Sequence, residues 1–158
     1  MARYIVDSQI DNHEKYYFIR EQESQDIVLL PSKYLMHKKR SKLSPNTIRR
    51  SAGAISYYLN YIDDTGIQLD DVWEMPYDKQ QEHFTDYLIW LQAGLHSGDS
   101  YKKKPYNETC NAYLKEVFRF YRFSGQQDES TKQLKVLSDM RIIVHNSVGV
   151  KRTLYRNT

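Results

Sequence analysis

The stretch SPNTIRRSAGAISYYLNYIDDTG, residues 44–66, decides the fold of this chain. Apolar side chains recur along it every three or four residues, which is the spacing of one helix face. These positions are Ile48, Ala52, Ile55, Leu59 and Ile62. Ser44 and Pro45 suit the cap and first position of a helix, and Gly66 suits its end. The stretch therefore predicts a long helix with one buried face.

Two later segments share this helical spacing, and two others show it weakly. Residues 78–93 place Phe84, Leu88 and Leu91 on one face, and residues 107–125 place Cys110 and Leu114 on another. Cys110 is therefore expected to be a small core residue and not a nucleophile. Residues 31–37 are interpreted as a short helix or turn, and residues 130–140 as a weaker last helix.

The first residues have a different pattern. Residues 3–7 and 15–20 are short aromatic and β-branched runs, joined by a polar turn at residues 11–13. That arrangement is typical of a β-hairpin. The predicted fold is mainly α, a bundle of four to five helices with a short N-terminal β-hairpin.

Charge is distributed very unevenly along the 158 residues, although the net charge is only +3. Residues 33–50 have seven basic groups and no acid, and residues 101–158 have twelve basic and five acidic groups. Residues 51–100, in contrast, have one basic and nine acidic groups. Each basic block directly precedes a predicted helix start, where unpaired N–H groups favour a phosphate. This coincidence favours a nucleic-acid surface over solvated charge.

The candidate DNA-binding residues follow from these two helix starts. Thr47 and Thr109 are expected to hold phosphates, while the lysines and arginines supply the salt-dependent attraction. Asn46, Asn107 and Asn111 are candidates to reach a base edge, with helix capping as the alternative for the first two. Gly53, inside the first long helix, indicates close approach of another helix or of a DNA backbone. The full set is Lys38, Lys39, Arg40, Lys42, Ser44, Asn46, Thr47, Arg49, Arg50, Lys102, Lys103, Lys104, Tyr106, Asn107, Thr109 and Asn111.

No catalytic, metal-binding or cofactor-binding pattern is recognisable. The five histidines are scattered, the single cysteine cannot form an internal disulfide, and there is no glycine-rich phosphate loop. The cysteine usage fits a reducing cytoplasm, and no apolar run is long enough for a membrane span. We therefore expect a DNA-binding module with no metal, no cofactor and no membrane partner.

Three motifs in order resemble the core-binding domain of tyrosine recombinases, the phage-integrase family. Residues 44–48 and 59–62 are similar to its first helix, residues 84–91 to its second, and residues 106–123 to a later helix with an aromatic end. The resemblance implies a SAM-like helical bundle at residues 30–125, preceded by the hairpin at 1–29. It implies that residues 126–158 form a last helix and a linker toward a catalytic domain.

The resemblance also implies partners and activity. Double-stranded DNA and further recombinase protomers are the expected partners, together with the C-terminal catalytic domain of the same polypeptide. That domain would supply the strand-cleaving residues, so no catalytic residue is expected here. Two alternatives stay open: a small accessory DNA-binding protein or repressor, and a SAM-like protein-interaction module.

Overall fold

An antiparallel hairpin opens the chain in the computed structural model, which describes residues 2–97, 104–127, 132–137, 140–145 and 149–156. Strand β1, Tyr4–Asp11, pairs with β2, Glu14–Glu21, in a register that places Asp11 opposite Glu14. The two turn residues, Asn12 and His13, have φ of 50° and 66°. A two-residue turn with positive φ matches the twist of the flanking strands, so the predicted hairpin is confirmed.

In the described ranges five α-helices follow the hairpin, and the predicted mainly helical architecture is confirmed. They are α1 Leu29–Arg40, α2 Pro45–Thr65, α3 Asp71–Glu74, α4 Tyr77–Gln92 and α5 Asn107–Gln126. Helix α2 has the ends that its sequence predicts. Ser44 is its cap and accepts the Thr47 N–H at 3.2 Å, and Gly66 ends it at φ 76°.

Aromatic side chains dominate the core between α2, α4 and α5. Tyr58, Tyr87, Tyr121 and Phe84 are completely buried, and the Tyr58 and Tyr121 rings meet edge to face at 5.8 Å. Cys110 is also completely buried, as predicted, and burial raises the pKa of its thiol to about 11. At neutral pH this thiol is uncharged and serves as a small packing group.

The hairpin is attached to α2 by directed hydrogen bonds. The Tyr4 N–H donates to Asn60 Oδ1 at 2.9 Å, and the Tyr4 carbonyl accepts from Asn60 Nδ2 at 3.1 Å and Ser56 Oγ at 3.0 Å. Ile19 of β2 is fully buried, and its N–H donates to Ser32 Oγ of α1 at 3.2 Å. The hairpin thus packs on α1 and α2 as part of the same core.

The prediction of a helix over residues 130–140 is wrong. Residues 132–134 are not helical, Lys135–Leu137 is a single 3₁₀ turn, and β3, Met140–His145, pairs with β4, Gly149–Arg156. Gln80 Oε1 accepts the N–H groups of Lys135 at 2.8 Å and Val136 at 3.3 Å, so these groups are taken from helical pairing. The β-branched residues 142–144 favour the strand.

Candidate nucleic-acid interface

The first cations of the block at residues 33–50 belong to α1, which continues to Arg40, whereas the sequence was interpreted as a short helix or turn over residues 31–37. His37, Lys38, Lys39 and Arg40 occupy the last turn of α1. Cations are stabilised there by the partial negative charge of the helix C-terminus. Part of the block's charge is therefore explained by the helix itself.

Lys38 is engaged inside the protein and does not face a ligand. Its Nζ lies 2.9 Å from Glu116 Oε1, and the two side chains are only 12% and 8% exposed. Tyr34 donates its hydroxyl to the same oxygen at 2.6 Å, and Arg119 reaches Oε2 at 3.2 Å. Burial raises the pKa of Glu116, but hydrogen bonds from Tyr34, Lys38 and Ser51 outweigh it and the net pKa is lowered. The carboxylate is thus charged, and Lys38 balances it.

Lys39 is directed toward the hairpin. Its Nζ is 3.8 Å from Glu14 Oε2 and 5.2 Å from the centre of the Tyr16 ring. Arg40 and Lys42 are exposed, and neither has an ion-pair partner in the described ranges. Of the four candidate cations that precede α2, namely Lys38, Lys39, Arg40 and Lys42, the last two therefore remain available to a ligand.

Lys42 has an unusual backbone conformation. It follows the end of α1 with φ of 62°, and its N–H donates to the Lys39 carbonyl at 3.0 Å. The Leu43 N–H reaches the Lys38 carbonyl at 3.5 Å. This is the Schellman termination of a helix, in which glycine is the favoured residue at the left-handed position. The lysine places a charge at the turn between α1 and α2.

The N-terminus of α2 largely satisfies its own donors. Pro45 has no N–H, and the Thr47 N–H is bonded to Ser44 Oγ. The Thr47 and Ser44 hydroxyl oxygens are 2.8 Å apart, and Asn46 Oδ1 accepts from Arg49 at 3.3 Å. Asn46 therefore does not cap the helix. At the predicted phosphate site, hydroxyl groups and arginines can therefore bind a phosphate, but few backbone N–H groups are left to do so.

Thr47 and Thr109 nevertheless line one groove, between α2 and α5. We call it the helix groove; its volume is about 590 Å³. Arg50 of α2 lines it and is exposed, without an ion-pair partner among the described residues. Its walls comprise Thr47, Arg50, Ser51, Ala54, Glu108, Thr109, Ala112, Tyr113, Glu116 and Arg119. The structure thus brings the two predicted helix starts to a common groove.

The second basic block is described only in part. Lys102 and Lys103 lie outside the described residues, and Lys104 is exposed. Tyr106 is 69% exposed at the start of α5 but its side chain does not cap the helix. Asn107 does not cap it either, because its Oδ1 accepts from Gln92 Nε2 at 2.8 Å. Asn111 is half-buried on α5, and Glu108 places a negative charge in the first turn, which opposes a phosphate.

A second groove lies between the hairpin and α2. We call it the hairpin groove; its volume is about 550 Å³. It is lined by Val6, Asp7, Ser8, Lys15, Tyr17, Arg49, Arg50, Gly53, Tyr57 and Tyr113. Arg50 and Tyr113 also line the helix groove, so the two grooves meet there. Sequence reasoning missed Lys15, because an isolated lysine in a hairpin carries no pattern that points to a ligand.

Gly53 does not mark close approach of another helix. A Cβ placed on it would meet nothing within 4 Å, and it faces the hairpin groove. The sequence left two explanations open for this glycine, and the first, close approach of another helix, is therefore wrong. An approaching DNA backbone remains as a prediction.

No protein-family model, curated protein or solved structure matches this chain. In the described ranges, no helix combines the length and apolar character required to cross a bilayer. Within those same ranges, His, Cys, Asp and Glu side chains do not form groups of three that could hold a metal ion.

Proposed function

We propose that this chain binds double-stranded DNA through the helix groove and the exposed cations around it. One observation carries the proposal: Arg50, exposed and without an ion-pair partner in the described part of the chain, lines a groove whose walls also include Thr47 and Thr109. Guanidinium and hydroxyl groups are common donors to phosphate oxygens. Arg40 at the end of α1, Lys42 in the following turn and Arg49 of α2 add exposed positive charge.

The acidic side chains of the helix groove do not prevent this role. Glu116 is buried and already balanced by Lys38 and Arg119. Glu108 stays as an exposed negative charge at the α5 start, which favours weak and salt-sensitive binding. Dissociation constants on the order of 10⁻⁴ to 10⁻⁶ M are typical of such non-specific contacts at physiological salt.

We further propose that the domain is the core-binding domain of a tyrosine recombinase. The support is the order of the three motifs, with Ser44 as the cap of α2 and the aromatic end of α5 in the core. DNA binding, and not strand cleavage, is the role assigned to this chain. The catalytic domain and further recombinase protomers would be its partners, on DNA in the cytoplasm of a prokaryotic or phage-infected cell.

Titration of a short fluorescent duplex between about 50 and about 200 mM salt tests the DNA-binding proposal. Arg50→Ala should weaken binding equally on two unrelated sequences and lower the salt slope by about one. Lys79→Ala is the matched control, because Lys79 lies on α4 beside Glu82 at 3.5 Å and lines neither groove. Absent or salt-independent binding of the wild type would contradict the proposal and favour a protein-interaction module.

A further inference from the structure

The hairpin groove is a cleft that joins the proposed DNA surface at Arg50. One wall comes from the hairpin, with Asp7 and Lys15, and the other from α2, with Arg49 and Gly53. Its volume of about 550 Å³ accommodates a segment of extended polymer, and its position connects β2 to the helix groove. A ligand on the helix groove can therefore continue onto the hairpin without leaving the protein surface.

Gly53 has no structural reason to be glycine. It lies in the interior of α2, and its φ is not among the positive values of the chain. A Cβ there would meet nothing within 4 Å. Glycine in a helix interior is about 1 kcal/mol less favourable than alanine. Glycine at position 53 therefore lowers stability although no protein contact requires it. Because Gly53 lies at the wall of an open cleft, this indicates that a ligand uses the space over α2.

The charge of the hairpin groove favours an anion. Lys15, Arg49 and Arg50 are exposed, and no carboxylate among the described residues forms an ion pair with them. The acid of the cleft, Asp7, is occupied: Arg20 Nε is 2.8 Å from its Oδ2, and the Ser8 N–H donates to its Oδ1 at 2.7 Å. The net field over the cleft is therefore positive.

The cations are spread along the cleft and do not converge on one point. Lys15 is on β2, while Arg49 and Arg50 are on α2, and they line opposite walls. A single small anion is best held by convergent donors, whereas separated cations suit a chain of phosphates. The rings of Tyr57 and Tyr113, which meet edge to face at 5.3 Å, form the aromatic part of the lining, and sugar rings can pack against them.

We propose that the hairpin groove seats the sugar–phosphate backbone of the bound DNA, with Gly53 leaving room for the backbone and Lys15 contacting a phosphate. This inference rests on the proposed DNA-binding function and extends the contact surface to the N-terminal hairpin.

Three variants test it with the labelled duplex. Gly53→Leu should weaken binding about tenfold at 0.1 M salt, which corresponds to the loss of one phosphate contact. Gly53→Ala should weaken binding less, while its unfolding temperature stays equal to or above that of the wild type. Lys15→Gln should lower the salt slope by about one, and Lys79→Gln should leave it unchanged.

The outcomes separate this inference from the proposed function. Suppose that Gly53→Leu, Gly53→Ala and Lys15→Gln all bind with wild-type affinity while Arg50→Ala still binds more weakly. The proposed DNA contact in the hairpin groove would then be wrong, and binding through the helix groove would stand. No binding by the wild type overturns both. Sodium phosphate should displace the duplex no better than sodium chloride of equal ionic strength. Selective displacement by phosphate would overturn the backbone site and indicate a small-anion site.

Discussion

Glu116 is a buried carboxylate whose charge organises the residues around it. Lys38, Tyr34 and Arg119 all direct donors at it, and its pKa is lowered in spite of burial. Removing one member of a buried ion pair is strongly destabilising, because the charge that remains is out of water and uncompensated. Lys38 therefore stabilises the contact between α1 and α5.

Lys38→Ala should lower the free energy of unfolding by about 2 kcal/mol, since Tyr34 and Arg119 still compensate part of the Glu116 charge. Its DNA affinity, measured where the variant is folded, should change little. Urea unfolding and duplex titration measure the two effects. Arg40→Ala is the matched control: because the Arg40 side chain is exposed, this variant should keep the wild-type stability and lose DNA affinity. A Lys38→Ala variant of full stability but reduced salt slope would contradict this role.

Single residues were the least predictable part of the candidate site. Lys38 and Lys42 look alike in the sequence, yet one is 12% exposed beside a carboxylate and the other is exposed at a helix end. The difference is produced by Glu116, whose partner Tyr34 is 82 residues away along the chain. Local patterns contain no information about such a distant partner. Arg50, in contrast, is exposed, and it is not one of the apolar positions that the sequence assigned to the buried face of α2.

At the scale of elements, two glycines inside helices have opposite surroundings. Gly53 of α2 has open space where a Cβ would be. Gly125 of α5 is buried, and a Cβ there would overlap the Lys132 carbonyl oxygen and lie 3.0 Å from the Trp73 ring. The Lys132 N–H donates to the Gly125 carbonyl at 3.0 Å, so the following segment crosses directly over this glycine.

Alanine at these two positions should therefore act in opposite directions. Gly53→Ala should raise the free energy of unfolding by about 0.5 to 1 kcal/mol, from helix propensity alone. Gly125→Ala should lower it by about 1 to 3 kcal/mol, because the backbone at Lys132 has to move. Thermal and urea unfolding of both variants measure this. Destabilisation by both, to a similar extent, would show that Gly53 has a packing role.

The helices were predictable where one face is apolar and both ends are capped by local residues. Helix α2 has Ser44, Pro45 and Gly66 at its ends, and α4 and α5 begin within a residue of the predicted starts. One alternative predicted for Gly53 was close approach of another helix, which is not found there; a protein backbone instead comes close to Gly125, near the end of α5. The segment near Lys135 was mispredicted because Gln80, far away in sequence, accepts its N–H groups.

At the scale of the whole molecule, a hydrogen-bonded chain crosses the core. Tyr58 is 2.8 Å from His83 Nε2 and 2.7 Å from the Tyr121 hydroxyl, which donates to the Leu69 carbonyl at 3.1 Å. The chain links α2, α4 and α5 with the loop before α3. Burial lowers the pKa of His83 to about 4, so the ring is neutral in the folded protein at pH 7. Protonation of His83 is therefore coupled to unfolding of the whole domain.

This coupling predicts acid destabilisation with a defined sign. In the unfolded chain the pKa of histidine is about 6.5. Between pH 6.5 and 4 the unfolded chain therefore binds more protons than the folded one. Stability is fully present above pH 6.5 and falls as the pH drops, by about 3 kcal/mol on reaching pH 4. Burial also lowers the pKa of His96, which adds a change of the same sign.

His83→Gln should remove most of this pH dependence, although the variant is less stable at pH 7 because the edge contact with Phe84 at 4.9 Å is lost. His13→Asn, on the exposed hairpin turn, is the matched control and should keep the wild-type profile. Urea unfolding at several pH values between 4 and 7 measures the difference. If His83→Gln retained the full acid loss, buried carboxylate pairs such as Glu116 with Lys38, and not His83, would couple folding to protons.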